Sequence, residues 1–314
     1  MKAFFRSSII LSAGLALFLS LLLSSCAGAT SGFEVLVTTF PIYQIARNVA
    51  AGVDSLNIDI MLPSSMGCPH DYILTPRDIR KLEKADTLII NGLGMEGFLE
   101  SAIESAKPGM KVIDSSAGIE GILYYEDEHE HNNRDLDRDN DSFNPHLFAS
   151  PRMAAKIAVN IAAQMSRIHP EGAKVYFSNA NLYAGRMNRL GEDLAELGRR
   201  LKNNRVVTQH GVFDYLARDM GLKIIGTVLS PQGQDPSAAE MLETVRLIRE
   251  QKAGAVFTEP QYPSRTAKTI ALEAGIPFAE LDPAATGPTN APLDHYEAVM
   301  RKNIVILGTT LGTL

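Results

Sequence analysis

Cysteine is almost missing: two occur in 314 residues, Cys26 and Cys68. With so few, no intrachain disulfide is possible if Cys26 is modified, and the core must then hold the fold. Clustered positive charge is also missing. The formal net charge is −6, and without a basic stripe the chain has no electrostatic footprint for nucleic acid. There is no G-x-S-x-G elbow, which removes the common serine-hydrolase arrangement. There is no H-E-x-x-H pair, which removes the zinc-protease arrangement. Apolar residues make up 45% of the chain, enough for a substantial core. The length suits two domains.

The N-terminus carries Lys2 and Arg6, then the apolar run "IILSAGLALFLSLLL". The run has signal-peptide length and is short of the roughly 20 residues a membrane span needs. Leu23, Ser24, Ser25 and Cys26 follow; this resembles the bacterial lipobox, whose cysteine heads the mature chain and carries lipid. The expectation is a signal peptide over residues 1–25, lipid attachment at Cys26, and a membrane-anchored chain in the periplasm or on the cell surface. The lipid modification of such a cysteine supplies chains enough for stable anchoring. The bland alternative is an uncleaved anchor helix. Cys68 stands two residues before His70, so its thiolate is chemically open as a metal ligand, although an exported free thiol oxidises readily.

Beyond residue 32 strand and helix patterns alternate. "FEVLVTT" is β-rich, and Ile42, Ile45, Ala46 and Val49 recur at helical spacing. "TPRDIRKLEKA" opens with Thr75 as a cap and Pro76 at the first helical position. "DTLIING", "MKVIDSS", "NRVVTQH", "LKIIGTV", "GAVFTEP" and "IPFAELDP" read as strands with helices between them. Such alternation predicts parallel sheets with flanking helices. Tyr176, Ala180, Tyr183, Met187, Leu190, Leu194, Leu197 and Leu201 form a heptad-like stripe. One long helix along two lobes explains it better than a coiled-coil dimer, because flanking charges in salt-bridging pattern are few. About thirty residues at 1.5 Å each span roughly 45 Å, the scale of a two-lobed protein. The predicted fold is α/β with two lobes bridged by one long rigid helix. The expected boundaries are an N-terminal lobe over 26–168, a linking helix over 169–203 and a C-terminal lobe over 204–314.

Three stretches compete for function. "NGLGMEG" places Gly92, Gly94 and Gly97 between a strand and a helix, with Asp114 ending the next strand. That is a dinucleotide-like turn and would suit an NAD-dependent oxidoreductase. It sits on the third strand of its unit, where the first is wanted. "DLDRDND" has Asp135, Asp137 and Asp139 at calcium-loop spacing, but the sixth position is Asn140 and the twelfth His146, which excludes an EF-hand. The acidic insert over 124–143, which holds His129 and His131, cannot bury a core.

The third candidate is a set of histidines. His70 follows the strand "IDIMLP", His146 follows the insert, His210 follows "RVVTQ", and Asp282 follows "PFAEL". Ligands of open parallel sheets bind outside the carboxyl ends of strands. Three neutral imidazoles and a carboxylate converging there suit Zn²⁺. Glu259, at another strand end, is the candidate partner for the second ring nitrogen of His210. Neutral imidazole is required, so binding is expected to weaken below about pH 6.5.

The stretches "CPHDYILTPRDIRKLEKAD", "NGLGMEGFLE", "NPHLFASPRMA", "VTQHGVFDYLARDMGL", "FTEPQYPSRTAKTIALEAG" and "LDPAATG" resemble, in order, the zinc/manganese-binding lipoprotein component of bacterial metal ABC importers. The resemblance covers essentially the whole mature chain. It implies two lobes bridged by a rigid helix, metal ligation by His70, His146 and His210 with Asp282 often completing the site, and delivery to an ABC permease. It implies no enzyme activity. Cys68 stands where the family usually has an acidic or small residue. Manganese specialists tend to carry glutamate at the position of His210, so Zn²⁺ is favoured over Mn²⁺. Zinc-type members often carry a histidine- and acid-rich loop before the second histidine, so His129 and His131 are expected to capture metal for the cleft. A monomer is expected. Some relatives are described as adhesins, which leaves cell adhesion as a further class.

Overall fold

A computed structural model describes residues 32–67, 69, 72–104, 107–125, 143–229 and 235–313. The first sheet uses β1 (Phe33–Val37), β2 (Leu56–Ile60), β3 (Thr87–Ile90) and β4 (Lys111–Asp114) in the order β2-β1-β3-β4. The second uses β5 (Arg205–Thr208), β6 (Lys223–Thr227), β7 (Ala255–Thr258) and β8 (Phe278–Glu280) in the order β6-β5-β7-β8. The two orders are the same pattern repeated. Strand β1 pairs with β3 in parallel, as does β5 with β7, and these neighbours flank the point where the strand order reverses. Both β1–β3 and β5–β7 therefore lie where open parallel sheets usually place a ligand crevice.

The helices cover these sheets by burying one stripe each. Helix α1 (Phe40–Ala50) follows β1, and Ile42, Ile45, Ala46 and Val49 are buried, as their spacing predicts. Helix α2 (Pro76–Lys84) begins with Thr75 and Asp78 in a reciprocal capping box. A 3₁₀ turn over Gly97–Leu99 leads into helix α3 (Glu100–Glu104). Helix α4 is Pro151–Ile168.

The long helix α5 runs from Ala173 to Arg200. Tyr176, Ala180, Tyr183, Met187, Leu190 and Leu194 are all buried inside the chain, so the heptad-like stripe is consumed by intrachain packing. Each large side chain so buried contributes roughly 1.5–3 kcal/mol. Gly198 lets this helix approach helix α6 (Asp214–Met220): a Cβ there would stand 1.9 Å from the Met220 carbonyl oxygen. Helices α7 (Ala238–Gln251) and α8 (Arg265–Ala274) cover the second sheet, and their apolar side chains Val245, Ile248, Ala267 and Ile270 pack on Val207 and Val256.

The last helix, α9 (His295–Leu311), makes a connection that the strand–helix alternation does not announce. Tyr296 donates its hydroxyl to the Phe148 carbonyl at 2.7 Å. Just upstream, Arg47 and Asn48 of α1 donate to the carbonyls of Ala291 and Leu293. The C-terminal segment therefore clasps the N-terminal lobe as well as its own. Among the described residues no helix is long and apolar enough to cross a membrane.

Candidate metal centre

His210 stands two residues past β5, and Glu259 directly follows β7, so the β5–β7 crevice holds both. The His210 Nδ1 lies 2.6 Å from Glu259 Oε1. With Glu259 ionised the carboxylate only accepts, and then Nδ1 carries the proton and Nε2 keeps its lone pair. Glu259 is 1% exposed, and its other oxygen accepts from Gln261 Nε2 at 2.6 Å. Burial pushes the Glu259 carboxyl up from its ordinary range; the His210 ring opposes this and the charge of Asp282 adds to it. The partner expected for His210 is thus the one found.

His146 reaches the same place from the other lobe. It caps the 3₁₀ turn Leu147–Ala149 that leads into α4, and it is fully buried. Its Nδ1 lies 2.9 Å from Asn144 Oδ1 and 3.3 Å from the Tyr125 hydroxyl. The His146 and His210 ring centres are 5.1 Å apart and the rings are inclined at 85°. Two imidazoles on one tetrahedral zinc, each with Zn–N of about 2.0–2.1 Å, hold their ring centres roughly 5 Å apart. Phe148 and Tyr262 set their rings edgewise against His146 and His210 at 5.9 and 5.4 Å. Those apolar walls keep the pair out of bulk water, where a neutral imidazole donor is most useful to a cation.

Asp282 lies just past β8, half-buried. Its Oδ1 accepts from the Ala284 N–H at 2.8 Å, and its backbone is held on both sides by the Asn303 amide. Burial pushes its carboxyl up, while the Ala284 hydrogen bond and the charges of His295 and Lys302 oppose that. The segment leading to His70 meets this region: Gly287 N–H donates to the Ser64 carbonyl at 2.9 Å, and a Cβ on Gly67 would stand 2.7 Å from the Gln261 side chain. The approach to His70 thus touches both the Glu259 and the Asp282 loops. Cys26, Cys68, His70, His129 and His131 themselves lie outside the described residues. Among the described residues, no three His, Cys, Asp or Glu side chains converge closely enough to hold an ion. Of the four expected ligands, the structure brings His146 and His210 together and sets Asp282 within electrostatic reach of the carboxylate behind His210.

The glycine-rich turn has an internal occupant. Glu96 folds back beneath it, accepting from Thr38 Oγ1 at 2.6 Å, Asn91 N–H at 2.7 Å and Gly92 N–H at 3.1 Å. Gly92 has φ +88°, and a Cβ there would lie 2.1 Å from Asp114 Oδ1. Asp114 accepts from the Ser116 N–H and hydroxyl. The N–H groups that would greet a pyrophosphate are thus taken by Glu96, the carboxylate that would greet a ribose is taken by Ser116, and the small residues serve a tight turn. Asn144 is the residue that sequence reasoning passed over. The available signal was an Asn two residues ahead of His146, at a helix entry where Asx side chains bond the backbone.

Two repeated parallel sheets joined by one long helix, with an imidazole from each lobe meeting between them, define the class of two-lobed solute-binding proteins with a rigid linker. The family model described as zinc-uptake complex component A, periplasmic (ZnuA) matches residues 35–309, and the chain belongs to that family. It is 30% identical over 244 residues to the high-affinity zinc uptake system protein ZnuA of Bacillus subtilis, covering 77% of this chain and 75% of that one. It is 27% identical over 298 residues to the zinc-binding lipoprotein AdcA of Streptococcus pneumoniae; the match takes in 93% of this chain but spans only 59% of that longer protein. The structure of FpvC from Pseudomonas aeruginosa in complex with Mn²⁺ superposes with a TM-score of 0.76 at 26% identity, covering 89% of this chain and 98% of that one.

Proposed function

We propose that this chain binds Zn²⁺ between its lobes outside the cytoplasmic membrane and delivers it to the permease of an ABC importer. The observation that carries the reading is the His146–His210 pair, whose separation of 5.1 Å matches two ligands of one ion. His70 and Asp282 complete the ligand set as cargo-binding residues, with Mn²⁺ a weaker cargo because it prefers oxygen donors. Zinc named in the relatives and the nitrogen-rich donor set favour the same ion. The chain acts as a binding protein, with no reaction of its own. It is a monomer tethered through lipid on Cys26, organised as a lobe over 26–168, a linker over 169–203 and a lobe over 204–314. His129 and His131 in the acidic insert raise the local concentration of the cation.

Release follows from the architecture. Ligands drawn from both lobes make a closed shell, which holds the ion firmly. The long helix and the clasping C-terminal segment resist a wide hinge swing, so release proceeds through small rigid-body and loop shifts driven by the permease.

Titration of metal-stripped protein with Zn²⁺ under a competing chelator tests the reading. One equivalent is expected, lost separately in His70→Ala, His146→Ala and His210→Ala. Full-strength binding in His146→Ala would overturn it.

A further inference from the structure

Asn144 is fully buried and uses every polar atom it has. Its Oδ1 accepts from the His146 backbone N–H at 3.0 Å and faces His146 Nδ1 at 2.9 Å. Its Nδ2 donates to the Gly211 carbonyl at 2.8 Å and to Asp214 Oδ2 at 2.7 Å. Its backbone carbonyl accepts from the Tyr215 hydroxyl at 2.7 Å, and its N–H donates to the Leu123 carbonyl at 2.8 Å. The orientation of the amide is forced by these neighbours. One end meets a carbonyl and a carboxylate, both acceptors, so it is the NH₂; the other meets a backbone N–H, so it is the oxygen. An amide oxygen cannot donate. The proton between it and His146 therefore sits on Nδ1, and Nε2 keeps the lone pair.

We infer that Asn144 is a positioning residue that fixes the tautomer of His146 and ties its loop to the residue following His210, so that both imidazoles are presented as a preassembled pair. The inference rests on the metal-site reading above. Asp214 explains why the residue is an amide. A carboxylate at position 144 would set two acceptors 2.7 Å apart and take the side-chain donor away from the Gly211 carbonyl. The Tyr125 hydroxyl, 3.3 Å from Nδ1, can donate or accept, so it cannot select a tautomer by itself.

Long-range ¹⁵N–¹H spectra of the histidine rings in metal-free full chain, beside Zn²⁺ titrations, test this. In the unaltered protein His146 is expected as the Nδ1–H tautomer; an Nε2–H tautomer would overturn the proposal without any substitution. Asn144→Ala should populate both tautomers and weaken Zn²⁺ binding 10–100-fold, the range for partners that orient a metal-bound histidine. An unchanged tautomer with affinity within threefold would overturn it. Asn144→Asp should keep the tautomer and lower the melting temperature, and adding Asp214→Asn should restore most of that loss. A double variant no more stable than Asn144→Asp would remove the tie between the loops. His146→Ala separates the layers: if it still binds Zn²⁺ fully, the metal-site reading fails, while the spectrum of the metal-free chain still reports on Asn144.

Discussion

The β1–β3 and β5–β7 crevices occupy equivalent places in two sheets of the same strand order, yet they hold different things. In the first, a glutamate from the following turn, Glu96, plugs the gap and is satisfied by three donors of its own lobe. In the second, the buried glutamate, Glu259, accepts from a histidine and so turns that ring's other nitrogen outward. A carboxylate at a crevice is thus either a filler or a support. What decides is whether its donors are backbone and hydroxyl groups, which end the chain of contacts, or an imidazole, which continues it. The first lobe brings its imidazole to the pair, His146, from elsewhere, at the entry of α4, and sets an amide beside it.

Substitutions should separate the crevices sharply. His210→Ala is expected to cost about a thousandfold in Zn²⁺ affinity, roughly 4 kcal/mol, by competition titration, while Glu96→Ala stays within about threefold of the unaltered chain. Equal losses in both would abolish the contrast. In stability the roles exchange. Glu96→Ala strands the Thr38 hydroxyl and the Asn91 and Gly92 N–H groups, and Thr38 and Asn91 are fully buried. At about 1–3 kcal/mol for each stranded buried group, discounted for relaxation, urea unfolding should report a loss of about 3 kcal/mol. Glu259→Gln should weaken Zn²⁺ 10–100-fold, and an unaltered affinity would demote Glu259 to the same filler role as Glu96. The most gradual effect concerns pH. Burial raises the Glu96 carboxyl from its ordinary 4.5 to about 7. The native chain keeps a proton there that the unfolded chain releases first, so this contribution is present below pH 4.5 and is lost as pH rises towards 7. For one proton the slope is at most about 1.4 kcal/mol per pH unit, and Glu96→Gln should flatten it. A stability profile of metal-free protein that is unchanged by that substitution would contradict the assignment.

Much of this was legible before any coordinates. The apolar stripe from Tyr176 to Leu194 betrayed the long helix because burial on one face leaves a period of 3.6. Strand ends pointed to His210 and Glu259 because parallel sheets place ligands there. The Asx position before the helix entry signals only a local backbone contact for Asn144; short-range patterns could not reveal that its four side-chain contacts join residues 144, 146, 211 and 214 across the lobes. The glycine-rich turn misled for a related reason. Gly92 and Gly94 do mark a left-handed turn, but the side chain that occupies it lies two residues beyond Gly94 and is announced by no spacing rule.

Tyr296, in the final helix, grips the Phe148 carbonyl two residues beyond His146. With α5 that makes two struts spanning the lobes, and a body braced along two lines yields by twisting before it gapes. On the proposed import function a docking permease would then act as a wrench, and the cation would be freed first on the side whose loop neither strut restrains.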